Sequence, residues 1–125
     1  MAGSSMGLHE AAEKLTDELV DQHRALASLM EELEAVDWYA QRAAATEDVS
    51  LREILVHNMN EEKEHAAMAL EWLRRRDGKL DTFLRRYLWS TGSIVAVEKS
   101  ADAEEEGGAV GAGDLGLRGL RGDGR

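Results

Sequence analysis

Proline is absent from the chain, and glycine is absent from Leu8 to Asp77. A stretch of that length without either breaker is strongly biased toward long helices. Within it Leu8, Ala12, Leu15, Leu19, Gln22, Leu26, Leu29, Leu33, Val36 and Ala40 recur at alternating steps of four and three. That is a heptad seam about five heptads long. A first helix is expected from about residue 7 to 43, with Ser4 or Ser5 as its cap. Ala44 to Ser50 reads as a short turn, in which Thr46 or Asp48 can cap the next helix. A second seam follows at Leu51, Leu55, Asn58, Glu62, His65, Ala69 and Trp72. Arg74, Arg75 and Arg76 suit the negative end of that helix, and Asp77-Gly78 stops it. A shorter amphipathic segment carries Leu80, Phe83, Leu84, Tyr87 and Leu88 and ends before Gly92. The expected fold is all-α: an antiparallel two-helix hairpin plus a short third helix.

The end of the chain differs. From Glu104 to Arg125 the sequence is glycine-rich and carries few large apolar residues, too few to offset the entropy of ordering. Residues 1–6 are expected to be a flexible N-terminus, 7–97 the folded domain and 98–125 a flexible, disordered tail. A domain that small has a thin core and gains from oligomerisation or metal binding. There is no cysteine, so a metal site must use oxygen and imidazole, which suits iron, manganese or zinc. The net charge of −10 argues against general nucleic-acid binding and fits a protein that attracts cations. The first residues lack a basic region followed by an apolar run, and no stretch is long and apolar enough to span a membrane. A cytoplasmic location is expected.

The centre of the second seam is unusual. Glu62 and His65 occupy positions where the periodicity demands burial, and their Glu-x-x-His spacing places both on one helix face. On the first helix, Glu32 has Ala25, Ser28, Leu29, Ala35, Val36 and Tyr39 as its helical neighbours, all apolar, small or aromatic. The midpoint of 32 and 62 is position 47, and that of 32 and 65 is 48.5; both fall in the expected turn. A hairpin folded there brings Glu32 level with Glu62 and His65. An unpartnered buried carboxylate costs several kcal/mol, which a cation offsets. Two-metal carboxylate bundles use one Glu from each of two helices and Glu-x-x-His from each of the other two. This chain supplies half of that set on half the helices. A twofold dimer, forming a ferritin-like four-helix bundle, supplies the rest. Tyr39 is either a hydrogen-bond donor to a ligand carboxylate or an ordinary packing tyrosine. Glu31, Glu34 and Trp38 share a neighbouring face that reads equally as a cation entry path or a charged outer surface. His57 is expected outside the site, and His9 and His23 are expected at the surface or an interface.

Through the segments Met30 to Gln41 (MEELEAVDWYAQ) and Asn60 to Arg75 (NEEKEHAAMALEWLRR), the chain resembles the encapsulated ferritins, iron-oxidising proteins housed in encapsulin shells. The resemblance covers about residues 9 to 98. It implies ferroxidase ligands at Glu32, Glu62 and His65, a nearby tyrosine at Tyr39 and metal-entry residues at Glu31, Glu34 and Trp38. It also implies two iron ions at each dimer-interface site, and a ring-like decamer of five dimers. An open ring encloses no cavity, so mineral storage would fall to the shell. The tail fits this picture. Leu115, Gly116, Leu117 and Leu120, within about 113–122, resemble a cargo-loading peptide: short apolar anchors on a flexible linker.

The function expected is therefore oxidation of Fe(II) to Fe(III) with dioxygen, inside an encapsulin nanocompartment in the cytoplasm. Two rivals come from the same residues. One is a hemerythrin-like oxygen or iron carrier, suggested by His57-x-x-x-Glu61, although such a site needs about five histidines in one four-helix chain and this chain has four. The other is a helical adaptor without metal.

Overall fold

A computed structural model describes residues 6–108. All regular structure in that range is helical: a 3-10 turn at Ala12–Lys14, then α1 (Asp17–Ala45), α2 (Val49–Arg76), α3 (Gly78–Tyr87) and α4 (Ile94–Gly108). Among the described residues no helix is long and apolar enough to cross a membrane. The chain divides into two compact units, one through Leu73 and the other from Arg74 onward.

In the first unit α1 begins later than the seam predicts. The Thr16 backbone is extended, and its Oγ1 accepts a hydrogen bond from the Leu19 amide at 3.1 Å. Asp17 and Glu18 occupy the first turn, where the helix dipole favours acids. A threonine that caps in this way breaks the helix on its N-terminal side. Leu8, Ala12 and Leu15 therefore precede α1, and Leu15 is itself extended. Ser4 and Ser5, expected as caps, lie outside the described residues. The leading segment is tied to α1 by a 2.9 Å hydrogen bond between His23 Nε2 and the Met6 carbonyl.

The hairpin turn is short and closely bonded. The Thr46 amide closes α1 onto the Arg42 carbonyl, while Thr46 Oγ1 accepts from the Asp48 amide at 3.2 Å. Asp48 Oδ1 then accepts from the Leu51 amide at 2.8 Å and caps α2. Arg52 reaches back from α2, donating from Nε to the Ala43 carbonyl at 3.0 Å and from its guanidinium to the Thr46 carbonyl. Carbonyls at a helix end have no partner within the helix, so Arg52 satisfies one of them and fixes how α2 leaves the turn. Packing between the helices is thin. Among the described residues, the buried apolar ones are Ala43, Leu55, Ala66 and Leu73. Leu19, Leu26, Met30 and Leu33 form a stripe of α1 that stays exposed, as do Leu51, Ile54 and Met68 on α2.

The second unit has its own ties. Asp77 caps α3 by accepting from the Leu80 amide at 3.0 Å. Asp81 pairs with Arg74 and, at 2.9 Å, with Arg85. The hydrogen bond from Arg74 holds the Asp81 carboxyl below the usual carboxylate range, with Arg85 adding to the effect against the opposing pull of desolvation. Arg86 lies over the Phe83 ring at 5.3 Å and meets Glu105 at 3.4 Å, joining α3 to α4. Between these helices Trp89 adopts a left-handed φ of 62° and is 93% exposed. Helix α4 corrects the expectation of a flexible tail from residue 98. Ser93 Oγ caps it by accepting from the Ala96 amide at 3.2 Å. Its alanines, glutamates and lysine favour helix, and they carry the helix as far as Gly107 and Gly108. The glycine-rich composition that suggested a tail begins only there.

Candidate metal centre

Glu32 sits mid-way along α1, and Glu62 and His65 sit one turn apart on α2. The hairpin brings them together at the register that the midpoints predict. His65 Nδ1 lies 3.7 Å from Glu32 Oε2 and 3.7 Å from Glu62 Oε2. One ligand atom from each of the three falls within 4.8 Å of the others. At 3.7 Å these groups are too far apart for hydrogen bonds. They face a common point without closing on one another. Two carboxylates and an imidazole make an oxygen and nitrogen donor set suited to a first-row divalent metal such as iron.

The site opens on one side. The side chains of Glu32 and Glu62 are 26% and 23% exposed, whereas that of His65 is 45% exposed. The second seam predicts His65 in the packed row, but the residue buried there is Ala66. Both 65 and 66 are helical neighbours of 62, and the small alanine lets α2 approach α1. His65 instead belongs to the adjacent stripe with Ile54 and Met68, which faces solvent in the single chain. On α1 burial follows the seam only in part: Glu32 and Tyr39, off the seam, are half-buried and Ala43 buried, while of the seam residues Leu29 and Val36 are half-buried and Leu19, Leu26 and Leu33 exposed.

The remaining sequence candidates are distributed around this centre. Tyr39 is half-buried. Its ring lies 5.7 Å from the Arg42 guanidinium, which also lies 5.9 Å from the ring of the exposed Trp38. Arg42 did not figure among the sequence candidates, although a cation three and four residues beyond two aromatics on a helix is a readable signal. Glu31 and Glu34 are exposed. His57 pairs with Glu61 at 3.8 Å on an exposed face, and among the described residues the three-ligand group contains neither. His23 is engaged with Met6, and His9 is exposed. The loading-peptide candidates Leu115, Gly116, Leu117 and Leu120 lie outside the described residues.

The family model described as EncFtn-like matches residues 7–91. The chain belongs to the encapsulated ferritin family. Among the relatives of this encapsulated ferritin-like chain, the "Encapsulated ferritin-like protein" of Rhodospirillum rubrum is 51% identical over 131 residues, covering 98% of this chain and 94% of that one. The "Ferritin-like protein" of Thermotoga maritima is 49% identical over 112 residues, covering 90% of this chain and 96% of the relative. Among solved structures, protein ne0167 from Nitrosomonas europaea superposes with a TM-score of 0.69 at 53% identity, covering 70% of this chain and 97% of its own. Membership in this family supports a ferritin-like, iron-related function, and the three converging side chains form a group that could hold a metal ion.

Proposed function

We propose that the chain is a ferroxidase, oxidising Fe(II) to Fe(III) with dioxygen at a two-iron site completed by a second copy of itself. The observation that carries this reading is the convergence of Glu32, Glu62 and His65 within 4.8 Å, with His65 on an open, partly apolar shoulder. A closed site on one chain would need further protein ligands. An open one, on a helix face that also exposes Ile54 and Met68, suits a partner that brings the same three groups across a twofold axis. Glu62 would be the ligand shared between the two irons, with Glu32 and His65 as terminal ligands. Each Fe(II) gives up one electron, and the protein supplies the ligand geometry and the open positions at which dioxygen can react.

Iron is the substrate in this reading, and the Fe(III) product leaves for storage elsewhere. The name of the Rhodospirillum rubrum relative, "Encapsulated ferritin-like protein", supports residence in an encapsulin compartment. We place the shell-docking segment at Leu115, Gly116, Leu117 and Leu120, and the working assembly at a ring of five dimers. Tyr39 steadies a ligand carboxylate, and Glu31, Glu34 and Trp38 line the route by which cations reach the site.

The test is an anaerobic Fe(II) titration followed by native mass spectrometry, then admission of air. The expected result is two iron ions per pair of chains and rapid appearance of Fe(III) absorbance. A purified pair that takes up no iron, with no Fe(II)-dependent change in assembly, would instead mark the chain as a helical adaptor.

A further inference from the structure

Met68 stands one turn beyond His65 on α2. That spacing puts two side chains on one helix face, with Cβ atoms roughly 5–6 Å apart. Met68 is 63% exposed, although methionine is among the residue types most often buried. The other described methionines are placed differently. Met6 and Met59 are half-buried. Met59 precedes His65 by six residues, which turns it roughly 120° away around the helix. Met30 is 37% exposed but belongs to the α1 stripe with Leu26 and Leu33, and two residues' separation from Glu32 points it away from that ligand. Met68 is therefore the thioether that shares both the face and the neighbourhood of the open ligand.

We propose that Met68 is a sacrificial oxygen acceptor for peroxide generated at the Glu32–Glu62–His65 site, an inference that rests on the ferroxidase reading. Two Fe(II) ions supply two electrons, and dioxygen that takes them up with two protons becomes hydrogen peroxide. The Met68 sulfur attacks one peroxide oxygen with a lone pair, forming the S–O bond as the O–O bond breaks. The proton on the transferred oxygen passes to the departing hydroxide, leaving methionine sulfoxide and water. Sulfur is oxidised by two electrons and peroxide is reduced by two. The product is polar where the thioether was apolar. Each oxidation thus makes the Ile54–His65–Met68 face more polar and records the peroxide load beside the site that produced it.

The experiment uses the full chain, cycled in air with Fe(II) in the presence of catalase and then mapped by peptide mass spectrometry. Parallel samples receive Zn(II) in place of Fe(II), or hydrogen peroxide without metal. In the Fe(II) sample, sulfoxide at Met68 is expected to exceed that at Met30 and Met59 several-fold and to persist despite catalase. The Zn(II) sample should show no such enrichment, and catalase should abolish the labelling caused by added peroxide. Fe(III) absorbance is recorded on the same samples. Normal Fe(III) formation with Met68 no more oxidised than Met59, or with catalase erasing the label, overturns the assignment and leaves the ferroxidase reading standing. Absence of Fe(III) formation takes down both. Met68→Leu, with each protein normalised to its own initial rate, should lose activity over fewer cycles than the parent; equal endurance also overturns the proposal.

Discussion

Glu62 and His65 face Glu32 across the hairpin, yet none of the three belongs to the buried set of Ala43, Leu55, Ala66 and Leu73. Chemistry and stability are therefore separable at this site. Glu32→Ala, Glu62→Ala and His65→Ala are each expected to slow Fe(II) oxidation by about 10- to 100-fold or more, since even outer-sphere changes at metal sites have effects of that size. Circular dichroism should show parental helicity in all three, and stopped-flow Fe(III) absorbance reads the rate. Near-parental rates in all three would refute the assignment. The trio was legible in the sequence because its cues are local: apolar neighbours around Glu32, a one-turn spacing on α2 and a turn at the right midpoint. The choice of Ala66 over His65 for the packed row was not legible. A heptad pattern accepts either a three- or a four-residue step, and only the closeness of α1 decides between them. The Arg52 contacts were hidden for a related reason: they join residues that become neighbours only once the hairpin has formed.

At the scale of helices, boundaries are set by single capping side chains. Thr16→Ala removes the acceptor for the Leu19 amide and is expected to lower stability by about 1 kcal/mol, measured by chemical denaturation at neutral pH. Periodicity alone ran the first helix through this point, because a seam records spacing and carries no mark for a threonine that prefers to cap. Asp81 gives α3 a dependence on acid. Its ordinary carboxyl value is 3.8, and the Arg74 hydrogen bond lowers it in the folded chain. A carboxyl depressed in this way contributes stability that is fully present above its unfolded value and is lost as pH falls through the folded one. The contribution should be constant near neutrality and decline below a pH of 3.8. Thermal melts of Asp81→Asn across that range should show a shallower acid limb than the parent, and parallel limbs would count against the pairing. Helix α4 was less legible because its last turn, from Glu104, runs into the glycine-rich stretch that reads as tail, with no stop signal before it.

Among the described residues, more large apolar side chains are exposed than buried. Leu19, Leu26 and Leu33 line one exposed stripe, and Leu51, Ile54 and Met68 another. Exposed rows of this kind mark association surfaces. Ile54→Asp places a charge on the row that carries His65 and is expected to shift the protein toward monomer by sedimentation, with iron uptake falling in parallel while helicity is kept. An unchanged oligomer with full iron uptake would place the pairing surface elsewhere. The open side of His65 has a kinetic corollary. If each chain holds only half of a reactive centre, the initial rate at high dilution should rise with the square of protein concentration and become linear once pairing saturates. Abundance then acts as the switch: sparse chains, each with its helices intact, would let ferrous ions pass unaltered.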